Sequence, residues 1–323
     1  MRELIFQEDA GQRLDKYLQK YLKQAPKSFL YRMLRKKNIV LNGKKADGSE
    51  KLKQGDVIRL YLADETVDKF RGEERIYPSW PGLEIVYEDS QVLLVNKPAG
   101  MLSQKAAPED VSLNEYLVGY LLERKQVTKD SLAGFTPGVC NRLDRNTSGL
   151  VIGAKTLGAA QEMGRLLKER RAGKFYLALA AGNISRGERI RGWLVKDRKN
   201  NQVRIGKEPS PEGAPIETVY EPLASNGRLT LLKVELITGK THQIRSHLAS
   251  AGHPLAGDGK YGDPALNRYM RERYGLNHQF LHSWQLTFPC MEAPFEALSQ
   301  RTFTAGLSKN FQDILKAEGL DRS

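Results

Sequence analysis

Apolar residues between positions 12 and 22 recur at helical spacing. In QRLDKYLQKYL, Leu14, Tyr17, Leu18, Tyr21 and Leu22 share one face, which predicts an amphipathic helix. Pro26 interrupts it, and Ser28 is placed to cap a second short helix over FLYRML. IVLNGKK then reads as a strand entering an Asn-Gly turn, and GDVIRLYL as a later strand. These elements predict a small helix-helix-strand domain over residues 1–65. The next stretch, TVDKFRGEERIYPSWPG, is charged and carries Pro78 and Pro81, so residues 66–82 read as a linker.

The remainder, 83–323, predicts a larger domain. LEIVYEDSQVLLVNKP reads as two strands joined by an acidic turn, GLVIGAK as a strand and LGAAQEMGRLLKER as a helix. KFYLALAAG and RGWLV are further strands, and VYEPLASNGRLTLLKVEL is a hairpin around a second Asn-Gly. THQIRSHLAS reads as a helix and FLHSWQLTF as a strand. Several strands follow one another with no helix between them. That order predicts an α+β chain whose central sheet is mixed and mostly antiparallel, flanked by helices.

Charge adds a partner. Lys plus Arg is 51 and Asp plus Glu is 38, a net charge of +13 that attracts polyanions, nucleic acid first among them. The excess is uneven. From Lys16 to Lys45 there are ten basic residues and no acidic one. Lys16, Lys20, Lys27, Arg32, Arg35, Lys36, Lys37 and Lys44 lie in that run and are candidate phosphate contacts. Two cysteines, Cys140 and Cys290, make neither a disulfide framework nor a zinc cage, and point to a reducing, cytoplasmic setting. The opening MRELIFQEDAGQRLD turns acidic where a signal peptide would be apolar, and no apolar run approaches the roughly 18 residues a membrane span needs.

The chemistry is narrowed by what is missing. His242, His247 and His253 are spaced H-x4-H-x5-H. A zinc helix usually places both imidazoles at i and i+4, and no carboxylate or cysteine falls at a ligand position, so no metal is expected. There is no nucleophile elbow for Ser-His chemistry and no phosphate loop for a nucleotide cofactor. Two segments are left, NRLDRNTSG and LITGKTHQIRSHL. In the first, Asp144 sits between Arg142 and Arg145, which would hold it ionised at neutral pH and ready to act as nucleophile or base. A structural ion pair is the competing account of the same residues.

Read together, these segments resemble the large-subunit ribosomal RNA pseudouridine synthases over nearly the whole chain. RLDKYLQKYLKQAPKSFLYRMLRKKNIVLNGKK resembles the S4-type RNA-binding module at the front of many of them. VYEDSQVLLVNKPAGM is similar to the first catalytic-domain motif, and NRLDRNTSGLVIGAK to the active-site motif, usually His-Arg-Leu-Asp-x-x-Thr-Ser-Gly. KFYLALAAG and LITGKTHQIRSHLASAGHPLAGDGKYG resemble the two that follow. The resemblance implies an isomerase without cofactor. It would extrude a uridine from RNA, break its N1–C1′ bond, turn the base and rejoin it through C5, after attack at C1′ or C6. By motif position Asp144 is the nucleophile, Arg142 fills space near the flipped nucleotide, Tyr176 stacks on the base and helps remove the C5 proton, and Arg245 pairs with the aspartate.

Three departures bear on substrate choice more than on reaction class. Asn141 replaces the motif histidine, GMLSQKAAPED lacks the histidine of many relatives, and LTFPCM lacks their His-Pro. The alternative is a catalytically silent RNA-binding or ribosome-assembly protein on the same scaffold. The presence of Asp144, Tyr176 and Arg245 together argues against it. A glycosidase would want two carboxylates flanking the bond, and the motifs carry one.

Overall fold

The computed structural model describes residues 1–6, 11–72, 76–197, 202–206, 208–209 and 211–321. The N-terminal part runs β1 (Arg2–Ile5), α1 (Leu14–Tyr21), α2 (Lys27–Arg35), β2 (Ile39–Leu41), β3 (Lys44–Lys45), β4 (Val57–Leu60) and α3 (Asp64–Arg71). Its strands form an antiparallel sheet in the order β1-β4-β2-β3. The helical stripe of α1 is buried, and Leu14, Tyr17, Leu18 and Tyr21 pack with Leu30, Leu34, Ile39, Ile58 and Leu60. The β2–β3 turn uses Asn42 and Gly43, both at positive φ (50° and 73°), as a tight hairpin requires.

Two expectations change here. Ser28 does not cap α2. The helix starts at Lys27 behind an extended Pro26 (φ −59°, ψ 144°), which puts Ser28 inside the first turn. The segment expected to open the linker is helical instead. Val67 of α3 is fully buried in the N-terminal core, and the Phe70 ring lies 4.6 Å from that of Phe29. An i, i+3 apolar pair amid charges is enough to bind the helix down.

The larger part continues with β5 (Glu84–Glu88), β6 (Val92–Lys97), α4 (Leu113–Glu123), α5 (Ser131–Gly134), β7 (Gly138–Val139), β8 (Ser148–Ala154), α6 (Leu157–Lys168) and β9 (Gly173–Ala181). It ends with β10 (Glu188–Asp197), β11 (Gln202–Gly206), β12 (Ala214–Ser225), β13 (Leu229–Leu236), α7 (Gln243–Ser250), α8 (Pro264–Tyr274), β14 (Leu281–Thr287), β15 (Thr302–Thr304) and α9 (Lys309–Ala317). The sheet order is β11-β10-β12-β13-β9-β14-β8-β6-β5, with β7 on β8 and β15 on β14. Among the described residues β8 and β14 pair in parallel and the other neighbours are antiparallel.

Strand alternation sorts the core into two layers. Leu93 and Val95 of β6, Val151 of β8 and Tyr176 and Ala178 of β9 face α4 and α7. Val92, Leu94, Leu150 and Ile152 face α6, while Leu177 and Leu179 face α8 and α9. Gly149 lets β8 approach β14, since a Cβ there would lie 2.2 Å from the Ser283 carbonyl oxygen.

A buried histidine fastens the same parallel pair. His282 Nε2 lies 3.2 Å from the Ala305 carbonyl, which can only accept, so Nδ1 takes the Ser148 hydroxyl proton at 2.8 Å. Burial pushes the His282 pKa down from 6.5 to about 4, against the Ala305 carbonyl. The folded state therefore binds this proton less readily than the unfolded chain. The contribution is whole above pH 6.5 and is lost as pH falls toward 4. Between pH 7.5 and pH 5 the loss should be about 2 kcal/mol, measured as the difference in urea unfolding between the wild type and His282→Gln. Equal pH slopes in the two proteins would exclude it.

Candidate active site

Asp144 lies in the turn that feeds β8, and its loop is fixed on both sides. Leu143 is buried in the core. Its amide donates to Ser103 Oγ at 3.0 Å, and its carbonyl accepts from the same hydroxyl at 2.9 Å. Asn141 Oδ1 accepts the Ile152 amide at 2.7 Å and Nδ2 donates to the Leu150 carbonyl at 3.4 Å. Asparagine offers an acceptor and donors on one short arm, so Asn141 ties the loop to β8. With Leu143 inward, its neighbours face out. Arg142 is exposed and has no ion-pair partner among the described residues, while Asp144 keeps 26% of its side chain accessible.

Helix α7 supplies the partners. Gln243 is buried and binds the loop before the helix, accepting from the Lys240 amide and the Thr238 hydroxyl and donating to the Glu217 carbonyl. His242 caps the helix at φ 54°, and Arg245 follows one turn later on the same face. Arg245 Nη1 donates to Asp144 Oδ2 at 2.9 Å. Its Nε and Nη2 grip Asp258 at 2.7 and 2.8 Å. Asp258 is fully buried and also accepts the Lys260 and Tyr261 amides.

Burial works against both charges. The carboxylates, Asp258 first, nevertheless raise the Arg245 pKa above the ordinary arginine value. The Arg245 fork and the two amides hold Asp258 below the usual carboxylate range.

His242 Nε2 stands 3.9 Å from Asp144 Oδ2. Its Nδ1 meets the Tyr261 hydroxyl at 3.0 Å, and that hydroxyl accepts the Val203 amide. The hydroxyl proton is then available to Nδ1, which assigns the ring proton to Nε2, toward Asp144. Burial lowers the His242 pKa, and Asp144 opposes the shift only in part. The other two histidines of the triplet go elsewhere. His247 bonds Thr218 at 3.0 Å, and the His253 ring sits edge-on to Tyr220.

Tyr176 on β9 is 6% exposed, stands opposite Ser283 in the β9–β14 ladder and feels the Asp144 charge. Burial pushes its pKa up to about 12, so it is a neutral phenol at physiological pH. The sequence thus points to Asp144, Arg245, Tyr176 and Arg142, and to His242 only as a rejected zinc ligand, but gives no sign of Asp258 or Tyr261 as site residues. His242, Asp258 and Tyr261 all lie in LITGKTHQIRSHLASAGHPLAGDGKYG. The candidate phosphate contacts Lys16, Lys20, Lys27, Arg32, Arg35, Lys36, Lys37 and Lys44 are all exposed on the N-terminal part. Lys20 also donates to the Gly134 carbonyl at 3.0 Å, so it helps dock that part on α5.

Comparison with known proteins gives the arrangement its relatives. A family described as RNA pseudouridylate synthase matches residues 91–250, and the S4 domain family matches residues 12–58. Ribosomal large subunit pseudouridine synthase C of Escherichia coli (strain K12) is 34% identical, over 88% of this chain and 87% of its own length. The protein of that name from Vibrio vulnificus (strain CMCP6) is 32% identical over 90% of each chain. Among solved structures, Human RNA Pseudouridylate Synthase Domain Containing 4 covers 74% of this chain and 94% of its own, with a TM-score of 0.60 at 21% identity. That likeness is one of fold. Human RNA Pseudouridylate Synthase Domain Containing 1 has a TM-score of 0.51 at 25% identity, over 74% of this chain and 96% of its own. The α+β architecture, the motif order and relatives of this length agree, and the chain belongs to the RNA pseudouridylate synthase family, with an S4 domain at its front.

Proposed function

We propose that this RNA pseudouridine synthase isomerises uridines of large-subunit ribosomal RNA in the cytoplasm, with Asp144 as nucleophile. The substrate class follows the names of its relatives. The nucleophile is carried by one observation, the Arg245 bridge that joins a partly open Asp144 to a fully buried Asp258. A catalytic carboxylate must be reachable and held still. Asp144 is accessible on one side and gripped on the other.

In the reaction the base leaves C1′ through N1 and returns through C5. N1 gains a proton and C5 loses one, so no cofactor is consumed. A neutral Tyr176 suits a surface beside the base better than a resident phenolate. Arg142, exposed beside the nucleophile, is free to occupy the space an extruded uridine leaves. Pseudouridine mapping of large-subunit ribosomal RNA from cells with and without this protein tests the reading. Loss of one or a few sites supports it, and an unchanged map would reject it.

The N-terminal module supplies affinity rather than chemistry on this reading. Arg32, Arg35 and Lys36 lie exposed at the end of α2 and just beyond it. Changing all three to Gln should lower the slope of log K against log salt by about 2 to 3, if each meets one phosphate. The single-turnover rate at saturating enzyme should stay unchanged. An unaltered salt slope would move the RNA-binding face elsewhere.

A further inference from the structure

An open pocket of about 430 Å³ lies beside the Asp144 loop, lined by Trp80, Met101, Asp110, Val111, Tyr116 and Arg145 among others. This size falls in the range of small-ligand pockets, roughly 300–1,000 Å³. Its walls combine flat aromatic faces with polar and charged groups in about equal measure. The Trp80 and Tyr116 rings are 5.6 Å apart and tilted by 44°, both partly exposed, and Val111 is 45% exposed. Arg145 brings a cation. The Asp110 carboxylate, which accepts the Ala106 and Ala107 amides, would repel a phosphate inside the pocket. What fits is a flat, uncharged ring with its phosphate outside, near Arg145.

The pocket is held rigid from two directions. Trp80 belongs to the segment expected as linker, yet that segment is clamped on α4. A Cβ on Gly119 would lie 2.1 Å from the Pro78 carbonyl oxygen, so only glycine permits the contact. Ser79 Oγ donates to Glu123 at 2.6 Å. On the other side, the fully buried Lys97 donates to the carbonyls of Pro98, Met101 and Arg145 at 2.8, 2.8 and 3.1 Å. Burial pulls the Lys97 pKa down to about 7, but each ammonium proton has an acceptor here. Pro98 and Met101 line the pocket, and Arg145 follows Asp144 directly. Pocket floor and nucleophile loop therefore form one hydrogen-bonded unit.

We propose that this pocket stacks an unpaired RNA base flanking the uridine that enters the Asp144 site, and so takes part in choosing that uridine. The inference rests on the reading of Asp144 given above. Stacking on Trp80 and Tyr116 anchors one neighbour, and the Lys97 knot fixes its distance from the nucleophile.

The test uses the full chain and a short RNA around a uridine that the wild type converts. Each flanking nucleotide in turn is replaced by an abasic ribose, which keeps its phosphate. Single-turnover rates against enzyme concentration give the half-saturating value. One abasic position should raise it roughly 5- to 150-fold for the wild type, the range of one base–aromatic stack. Trp80→Ala on intact RNA should show the same loss, and the two changes together should lose no more than either alone. Val111→Glu, at an exposed rim position, should reproduce the loss with an unchanged melting temperature, which separates it from misfolding. The proposal is overturned if both variants bind intact RNA as the wild type does, or if their losses add equally at every abasic position. A wild type that converts no uridine in any ribosomal RNA would overturn the Asp144 reading itself, and this proposal with it.

Discussion

Asp144→Asn should make no detectable pseudouridine while folding and binding RNA as the wild type does. The geometry separates these effects. Asparagine keeps the shape and one oxygen, which can still accept from Arg245 Nη1 at the distance seen, 2.9 Å. Arg245 retains its two bonds to Asp258, so no buried charge is stranded. The side chain is 26% exposed and Leu143, not Asp144, anchors the loop, so stability should change by no more than about 1 kcal/mol. What is lost is the carboxylate proposed as nucleophile, for which an amide is no substitute. Single-turnover assays and RNA titrations in parallel check this. Conversion at near the wild-type rate would remove Asp144 from the chemistry. Weakened binding with intact chemistry would make it an RNA contact.

Arg245→Lys should lose both rate and stability. The guanidinium makes three bonds in one plane, two to Asp258 and one to Asp144. A lysine ammonium is a single point and cannot hold both carboxylates at these distances. Whichever it abandons, Asp144 loses its fixed position or the buried Asp258 loses part of its compensation. The single-turnover rate should fall roughly 10²- to 10³-fold, the scale of removing one electrostatic contact at a reacting centre. Urea unfolding should show a loss of about 1–3 kcal/mol from the weakened buried pair. RNA affinity should barely move, because the arginine side chain is only 7% exposed and its donors face aspartates. Full single-turnover rate with weakened RNA binding would show instead that Arg245 serves the RNA backbone.

Much of the architecture was legible because periodicity carries it. The stripe of α1 and both Asn-Gly hairpins stand where the pattern put them, and β6 sends alternate residues into two cores. Helix α4 has apolar residues on several faces, so its sequence shows no stripe; its signal is the Ser112–Glu115 capping box. The linker reading weighed charge and proline over isolated apolar residues, and Val67 and Trp80 were the ones that mattered. In the site, Asp144 stands out between two arginines, but its pairing with Arg245 came only through the resemblance, since residues 101 positions apart meet only in the fold. Asp258 was hidden by its setting. Gly-Asp-Gly reads as an ordinary turn, and Asp258 does bind its own loop amides. Only the arrival of α7 above it makes it the support of Arg245.

That support also orders the ways this enzyme could decay over generations. Asp144 is peripheral to the packed core, whereas Arg245 and Asp258 are locked into it together. A lineage that gave up chemistry but kept a useful RNA-binding protein could discard Asp144 in one step and survive the change. Losing Arg245 or Asp258 first would injure the folded chain along with its activity. A silent descendant of this scaffold should therefore be recognised by a replaced Asp144 above an intact arginine–aspartate pair.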